Sequence, residues 1–194
     1  MKGQLSLPNF ITALRIVGTL FLLFTNPFSV VFYVIYTFCG ITDVLDGWIA
    51  RKTKSTSEFG AKLDSIADLL FYFVMGIKIF PVLWEKLPTD VWCMVGVILL
   101  LRASSYLVAA VKYRRFASLH TYMNKLTGLA IFTIPYFIRE SFAVTLCKVI
   151  AGIAGIGSIE ELIMHISSKD YQPGIKTILN IRINQKYVKI PDSE

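Results

Sequence analysis

The sequence predicts an all-α, polytopic membrane protein with six transmembrane helices and both termini in the cytoplasm. Three observations carry that expectation. First, 55% of the 194 residues are hydrophobic, mean hydropathy is +0.60 and only 17% of residues are charged, against about 25% in an ordinary soluble domain. Second, apolar runs recur from residue 10 to residue 166, more apolar surface than a soluble chain of this size can hide, so the expected solvent is lipid. Third, basic residues gather between alternate runs, as the positive-inside rule requires.

The spans follow in order. The first runs from Phe10 to Phe24; it is short for a bilayer and carries Arg15, which puts its N-terminal part at the interface. It has no small-residue cleavage site of the signal-peptide type, so it is expected to be retained. The turn Thr25-Asn26-Pro27 leads into the second span, Phe28 to Ala50. The third covers Ala61 to Trp84, the fourth Val91 to Val111, the fifth Tyr122 to Phe137 and the sixth Phe142 to Ile166. Short linkers make neighbours antiparallel. With the N-terminus inside, one side holds Lys2, the basic group from Arg51 to Lys62, Lys112, Arg114, Arg115 and the basic tail, while the other holds only Lys86 and Arg139. Residues 1–166 thus read as one membrane domain and residues 167–194 as a cytoplasmic tail. The mixed apolar and basic stretch Ile175 to Ile190 either lies on the anionic leaflet or forms a loosely ordered tail.

Composition also excludes. The net charge of +7 is spread between apolar runs and does not form one basic face, so no nucleic-acid partner is expected. Cys39, Cys93 and Cys147 lie far apart inside apolar runs, without metal-ligand spacing. Two histidines, His120 and His165, are too few for a histidine-based zinc site.

The chemistry concentrates between residues 43 and 68. Asp43, Asp46, Gly47 and Ala50 stand at i, i+3, i+4 and i+7, one face of a helix; Asp64 and Asp68 stand at i and i+4, again one face. Ionised carboxylates at membrane depth cost a few kcal/mol each and need a partner. Folding the hairpin brings the two acidic faces together. Four carboxylates without His or Cys make a hard oxygen site that suits Mg²⁺ or Mn²⁺. Gly47, Ala50 and Gly60 leave room for a ligand to approach the backbone, and Arg51 offers a planar fork for a phosphate. Ser55-Thr56-Ser57-Glu58 supplies a capping box for the third helix. Together these features point to phosphoryl or phosphodiester chemistry at the cytoplasmic membrane face. The rival reading of the acids alone is a salt-bridged surface loop with Arg51, Lys52 and Lys62.

The string resembles the signature of the CDP-alcohol phosphotransferase family, D-x2-D-G-x2-A-R-x8-G-x3-D-x3-D. Asp43, Asp46, Gly47, Ala50, Arg51, Gly60, Asp64 and Asp68 occupy all its fixed positions at the family's spacing. The six-span layout resembles the family over about residues 6 to 166. The resemblance implies an enzyme of phospholipid biosynthesis that moves a phosphatidyl group from CDP-diacylglycerol to an alcohol acceptor and releases CMP. It implies two Mg²⁺ or Mn²⁺ ions, with Asp43 and Asp64 contacting both, Asp46 one and Asp68 the other. Asp68 would also take the proton from the acceptor hydroxyl. Gly47, Arg51, Ser57 and Gly60 would hold the CDP part, with Ser55 and Thr56 as alternatives to Ser57. Family members are commonly homodimers.

The opening LPNFITALR is similar to the phosphatidylglycerophosphate synthase branch, which places Asn9, Thr12 and Arg15 along one site, Asn9 and Thr12 beside the donor. Arg102 and Lys125, cations within the fourth and fifth spans, resemble the residues that bind the acceptor's phosphate in that branch, which makes glycerol 3-phosphate the leading acceptor. Arg114 and Arg115 are rivals for that role. Ser65 resembles instead the branches that use serine or inositol, so serine, inositol and inositol phosphate stay open. Glu160 or Glu161 is expected to pair with Arg102 or Lys125, and Lys78 and Lys148 to snorkel. An ion or proton transporter is the reading from another class; acids crowded on one face, with no repeat of broken helices, argue against it.

Overall fold

The computed structural model describes residues 7–53, 57–114, 121–168 and 177. Ser55, Thr56, Arg115, His120, nearly all of the predicted tail and the side chain of Arg51 lie outside the described residues. Six helices and no strand occur among the described residues: α1 (Leu7–Phe24), α2 (Val30–Lys52), α3 (Glu58–Lys86), α4 (Thr89–Tyr113), α5 (Tyr122–Phe137) and α6 (Ala143–Ser167). Five of them, all but α5, are long and apolar enough to cross a membrane. The 16 residues of α5 reach about 24 Å at 1.5 Å per residue, short of a hydrocarbon core of about 30 Å.

Local chemistry explains the ends. The first helix begins three residues earlier than the apolar run, because Pro8 is tolerated in a first turn. The second begins two residues later, because Ser29 takes the cap: its Oγ accepts from Phe32 N–H at 3.1 Å. Phe28, just before, adopts a left-handed φ of 65°, uncommon for a bulky residue and confined here to the tight turn. For α3, Ser57 is the capping residue; its Oγ accepts from Gly60 N–H at 3.0 Å, so the glutamate expected to complete a capping box sits at the first helical position. The Thr121 hydroxyl caps α5 by accepting from Asn124 N–H at 3.1 Å.

The helices form two compact units, one running to Lys86 and the other from Leu87. In the first, α1 packs on both α2 and α3. Lys78 of α3 donates to the carbonyls of Leu23 at 2.6 Å and Thr25 at 2.8 Å, so the lysine expected to snorkel caps the C-terminus of α1. Gly18 permits the close approach of α1 to α2, since a Cβ there would stand 3.2 Å from Cys39 Sγ. In the second unit, α6 packs on α4 and α5. Lys148 pairs with Asp90 at 2.5 Å, and Lys112 donates to the carbonyls of His165 and Ile166 at 3.0 and 2.8 Å. These ties pin both ends of α4 and α6 and set them parallel.

Polarity runs opposite to that of a water-soluble fold. The buried face of α1 carries Asn9, Thr12, Arg15 and Thr19, while Phe10, Val17, Phe21 and Phe24 point outward. Lipid, not water, is the solvent in which that arrangement costs little.

Candidate functional site

Two helix ends and the middle of a third build the acidic centre. The last three turns of α2 carry Asp43 and Asp46, and the first three turns of α3 carry Asp64 and Asp68. Carboxylate oxygens of Asp43, Asp64 and Asp68 lie within 4.8 Å of one another, as the helical spacing requires once the hairpin closes. Asp46 is turned differently. It is buried and accepts from the Thr12 hydroxyl at 2.7 Å. The donor set is carboxylate oxygen throughout, compatible with a hard divalent cation.

Arg15 reaches the same cluster from α1. Its Nη1 pairs with Asp43 and lies 3.2 Å from Asp68; its Nη2 pairs with Asp64 and lies 3.5 Å from Asp46. The position between the carboxylates therefore accepts positive charge, which is the test a metal site must pass. Sequence reading set Arg15 beside Asn9 and Thr12 but missed its contact with all four acids. The signal was available: a cation midway along an apolar span needs an anion, and the acids of the first unit at that depth are these four.

A cleft of about 180 Å³ opens beside the cluster, lined by Pro8, Asn9, Thr12, Asp46, Gly47, Ala50, Ser57, Gly60, Ala61 and Asp64. Asn9, Thr12, Gly47, Ser57 and Gly60, expected at the donor, thus share one cavity. Gly60 leaves room for two of the cleft's polar groups: an added Cβ would stand 2.8 Å from Asn9 Oδ1 and 3.2 Å from Ser57 Oγ, so those side chains would have to move. The cavity joins small residues, two hydroxyls, an amide and carboxylates, a lining suited to an elongated polar ligand with phosphate groups.

Within the second unit, Arg102 donates to Asn124 Oδ1 at 3.0 Å, and Asn124 Nδ2 donates to Glu161 Oε2 at 2.9 Å. Arg102 Nη1 lies 4.0 Å from that same oxygen. Glu161 is fully buried, so of the two expected pairings the arginine takes the glutamate, through an asparagine the sequence reading passed over. Lys125, the next residue along α5, is exposed. Glu160 accepts from the Thr177 hydroxyl at 3.0 Å. Ser65 is exposed and its hydroxyl donates to Ala61 O at 2.9 Å. Arg114 closes α4 in a left-handed conformation, with a φ of 53°.

A sequence model of the CDP-alcohol phosphatidyltransferase family matches residues 5–159, most of the chain. Among curated proteins, the chain is 36% identical over 74 residues to a CDP-diacylglycerol–serine O-phosphatidyltransferase of Methanocaldococcus jannaschii, covering 38% of this chain and 34% of that relative. It is 36% identical over 93 residues to a CDP-diacylglycerol–glycerol-3-phosphate 3-phosphatidyltransferase of Yersinia enterocolitica, covering 44% of this chain and 51% of the relative. A protein of the same name from Pseudomonas fluorescens is 34% identical over 95 residues, covering 45% of this chain and 49% of the relative. The chain thus spans about half the length, or less, of these curated relatives. No solved structure matches it.

Proposed function

The chain belongs to the CDP-alcohol phosphatidyltransferase family, and on that premise we propose that it transfers the phosphatidyl group of CDP-diacylglycerol to the hydroxyl of glycerol 3-phosphate, giving phosphatidylglycerophosphate and CMP. The observation that carries this reading is the convergence of Asp43, Asp64 and Asp68, with Asp64 also lining a cleft it shares with Asn9, Thr12, Asp46, Gly47, Ser57 and Gly60. The names of the Yersinia enterocolitica and Pseudomonas fluorescens relatives support the choice of acceptor.

The residues divide the work. Asp43 and Asp64 would each contact two Mg²⁺ or Mn²⁺ ions, Asp46 one of them and Asp68 the other. When bound, the ions supply charge neutralisation at the pyrophosphate, which makes CMP a better leaving group. Asn9, Thr12, Gly47, Ser57 and Gly60, with Arg51, hold the CDP part of the donor. Asp68 accepts the proton of the acceptor hydroxyl. The acceptor oxygen forms its bond to the phosphatidyl phosphorus as the bond from that phosphorus to the CMP oxygen breaks, and CMP leaves with the electron pair. Arg102 and Lys125 bind the acceptor's phosphate. We place this chemistry on the cytoplasmic side of the cell membrane, in a six-span domain of residues 1–166 that dimerises with a second copy and continues into a cytoplasmic tail, residues 167–194.

A second reading, transfer onto serine, draws on Ser65 in the first turns of α3 and on the name of the Methanocaldococcus jannaschii relative. One assay decides between them. Purified protein in lipid nanodiscs receives CDP-diacylglycerol with glycerol 3-phosphate, serine, inositol or inositol phosphate, and CMP is measured. Glycerol 3-phosphate should support release that stops with EDTA and resumes with Mg²⁺ or Mn²⁺. A preference for serine would replace the acceptor. No CMP with any of the four would overturn the transferase reading and reopen that of a transporter.

A further inference from the structure

The acidic centre is held together by a cation from the chain itself. Arg15 lies midway along α1, is only 2% exposed, and ranks among the largest fully buried side chains. Its two terminal nitrogens divide four carboxylates between them. Nη1 takes one acid from α2 and one from α3, Asp43 and Asp68; Nη2 does the same with Asp64 and Asp46. Without a cation there, four carboxylates would face one another near membrane depth, where like charges repel strongly and water is scarce to screen them. One guanidinium also leaves most of that negative charge uncompensated.

The carboxylates that meet Arg15 include all three, Asp43, Asp64 and Asp68, that converge closely enough to hold an ion. They cannot hold the guanidinium at hydrogen-bonding distance and coordinate an ion in the same place. We propose that Arg15 is the positioning residue of the metal centre: it keeps the four carboxylates converged in the metal-free protein, and divalent ions bind by exchange with it. Metal affinity is therefore set by this competition as well as by the acids. The inference rests on the metal reading proposed above and adds a residue to it.

The sign of one measurement separates this role from simple packing. Removing a competitor tightens metal binding, whereas damaging a structural contact weakens it. The full chain in nanodiscs is titrated with Mn²⁺, following loss of the free-ion electron paramagnetic resonance signal, and its melting is recorded with EDTA and with Mn²⁺. Arg15→Gln should melt lower in EDTA, recover with Mn²⁺, and bind the first ion roughly 10-fold more tightly or better, as loss of charge-assisted contacts implies. Arg15→Lys keeps the charge but loses the fork, so it should fold and tighten binding by a smaller factor. If Arg15→Gln does not fold, Arg15→Lys decides alone. Unchanged or weaker Mn²⁺ affinity in the folded variants overturns the proposal while leaving the metal reading intact. Failure of the unaltered protein to bind Mn²⁺ at all removes both.

Discussion

A carboxylate and its amide differ by one atom and one charge, so substitution at the acidic cluster separates roles without disturbing shape. Asp64→Asn removes an oxygen anion proposed to touch both ions, and CMP release should fall to background; release near the unaltered rate in a well-folded variant would defeat that assignment. Asp68→Asn should behave differently. Donor binding should persist, while turnover drops about 10²-fold or more through loss of the base; equilibrium binding of CDP-diacylglycerol beside single-turnover kinetics distinguishes the two. In the second unit, Arg102 is held by Asn124 at 3.0 Å and Lys125 is exposed. If both grip the acceptor's phosphate, Arg102→Gln and Lys125→Gln should raise the KM for glycerol 3-phosphate by about 10- to 100-fold, the worth of a charge-assisted contact. Donor KM should not move. An unchanged acceptor KM in both variants would remove them from the pocket.

The helices depend on close approaches at a few small residues. At Gly157 of α6, a Cβ would meet Met123 Cβ at 3.2 Å and the Met123 carbonyl carbon at 3.7 Å. The Met123 Cβ is fixed to the main chain of α5 and yields less readily than a side-chain tip, so Gly157→Ala should shift it by a few tenths of an ångström, next to the Asn124 bond to Glu161, 2.9 Å long. Overpacking of this kind costs about 1–3 kcal/mol, and the purified variant should melt at a lower temperature. An unaltered melting point would mean that α5 slides along α6 freely. Glu161 is sensitive to that shift, because a fully buried carboxylate whose hydrogen bond is weakened keeps its desolvation cost.

For the whole molecule, the expected asymmetry is between a face rich in Lys and Arg and one bearing only Lys86 and Arg139. A reporter fused at Glu194 should be cytoplasmic, and a tag inserted between Glu85 and Asp90 should be external. An external C-terminus would leave an odd number of crossings. Since α5 has 16 residues, it is the helix whose crossing such an experiment would put in question.

Much of this protein is legible along the chain. The apolar runs locate the six helices of the described residues, because lipid imposes length and composition on each span independently of its neighbours, although α5, at Tyr122–Phe137, is shorter than a full crossing. Helical periodicity is likewise local, so the i, i+3 spacing of Asp43 and Asp46 and the i, i+4 spacing of Asp64 and Asp68 suffice to set each pair on one face. Helix ends were less legible, because Ser29 and Ser57 take their capping roles only once the turns before them are built. What packing alone decided is which charges meet. Arg15 reaches four carboxylates on two other helices, Asn124 stands between Arg102 and Glu161, and Lys78 caps α1 from a distance of more than fifty residues along the chain. Each of those pairings depends on the depth and rotation of one helix against another, fixed by contacts such as that of Gly18 with Cys39. A periodic pattern carries no information about rotation between helices; only their packed surfaces do.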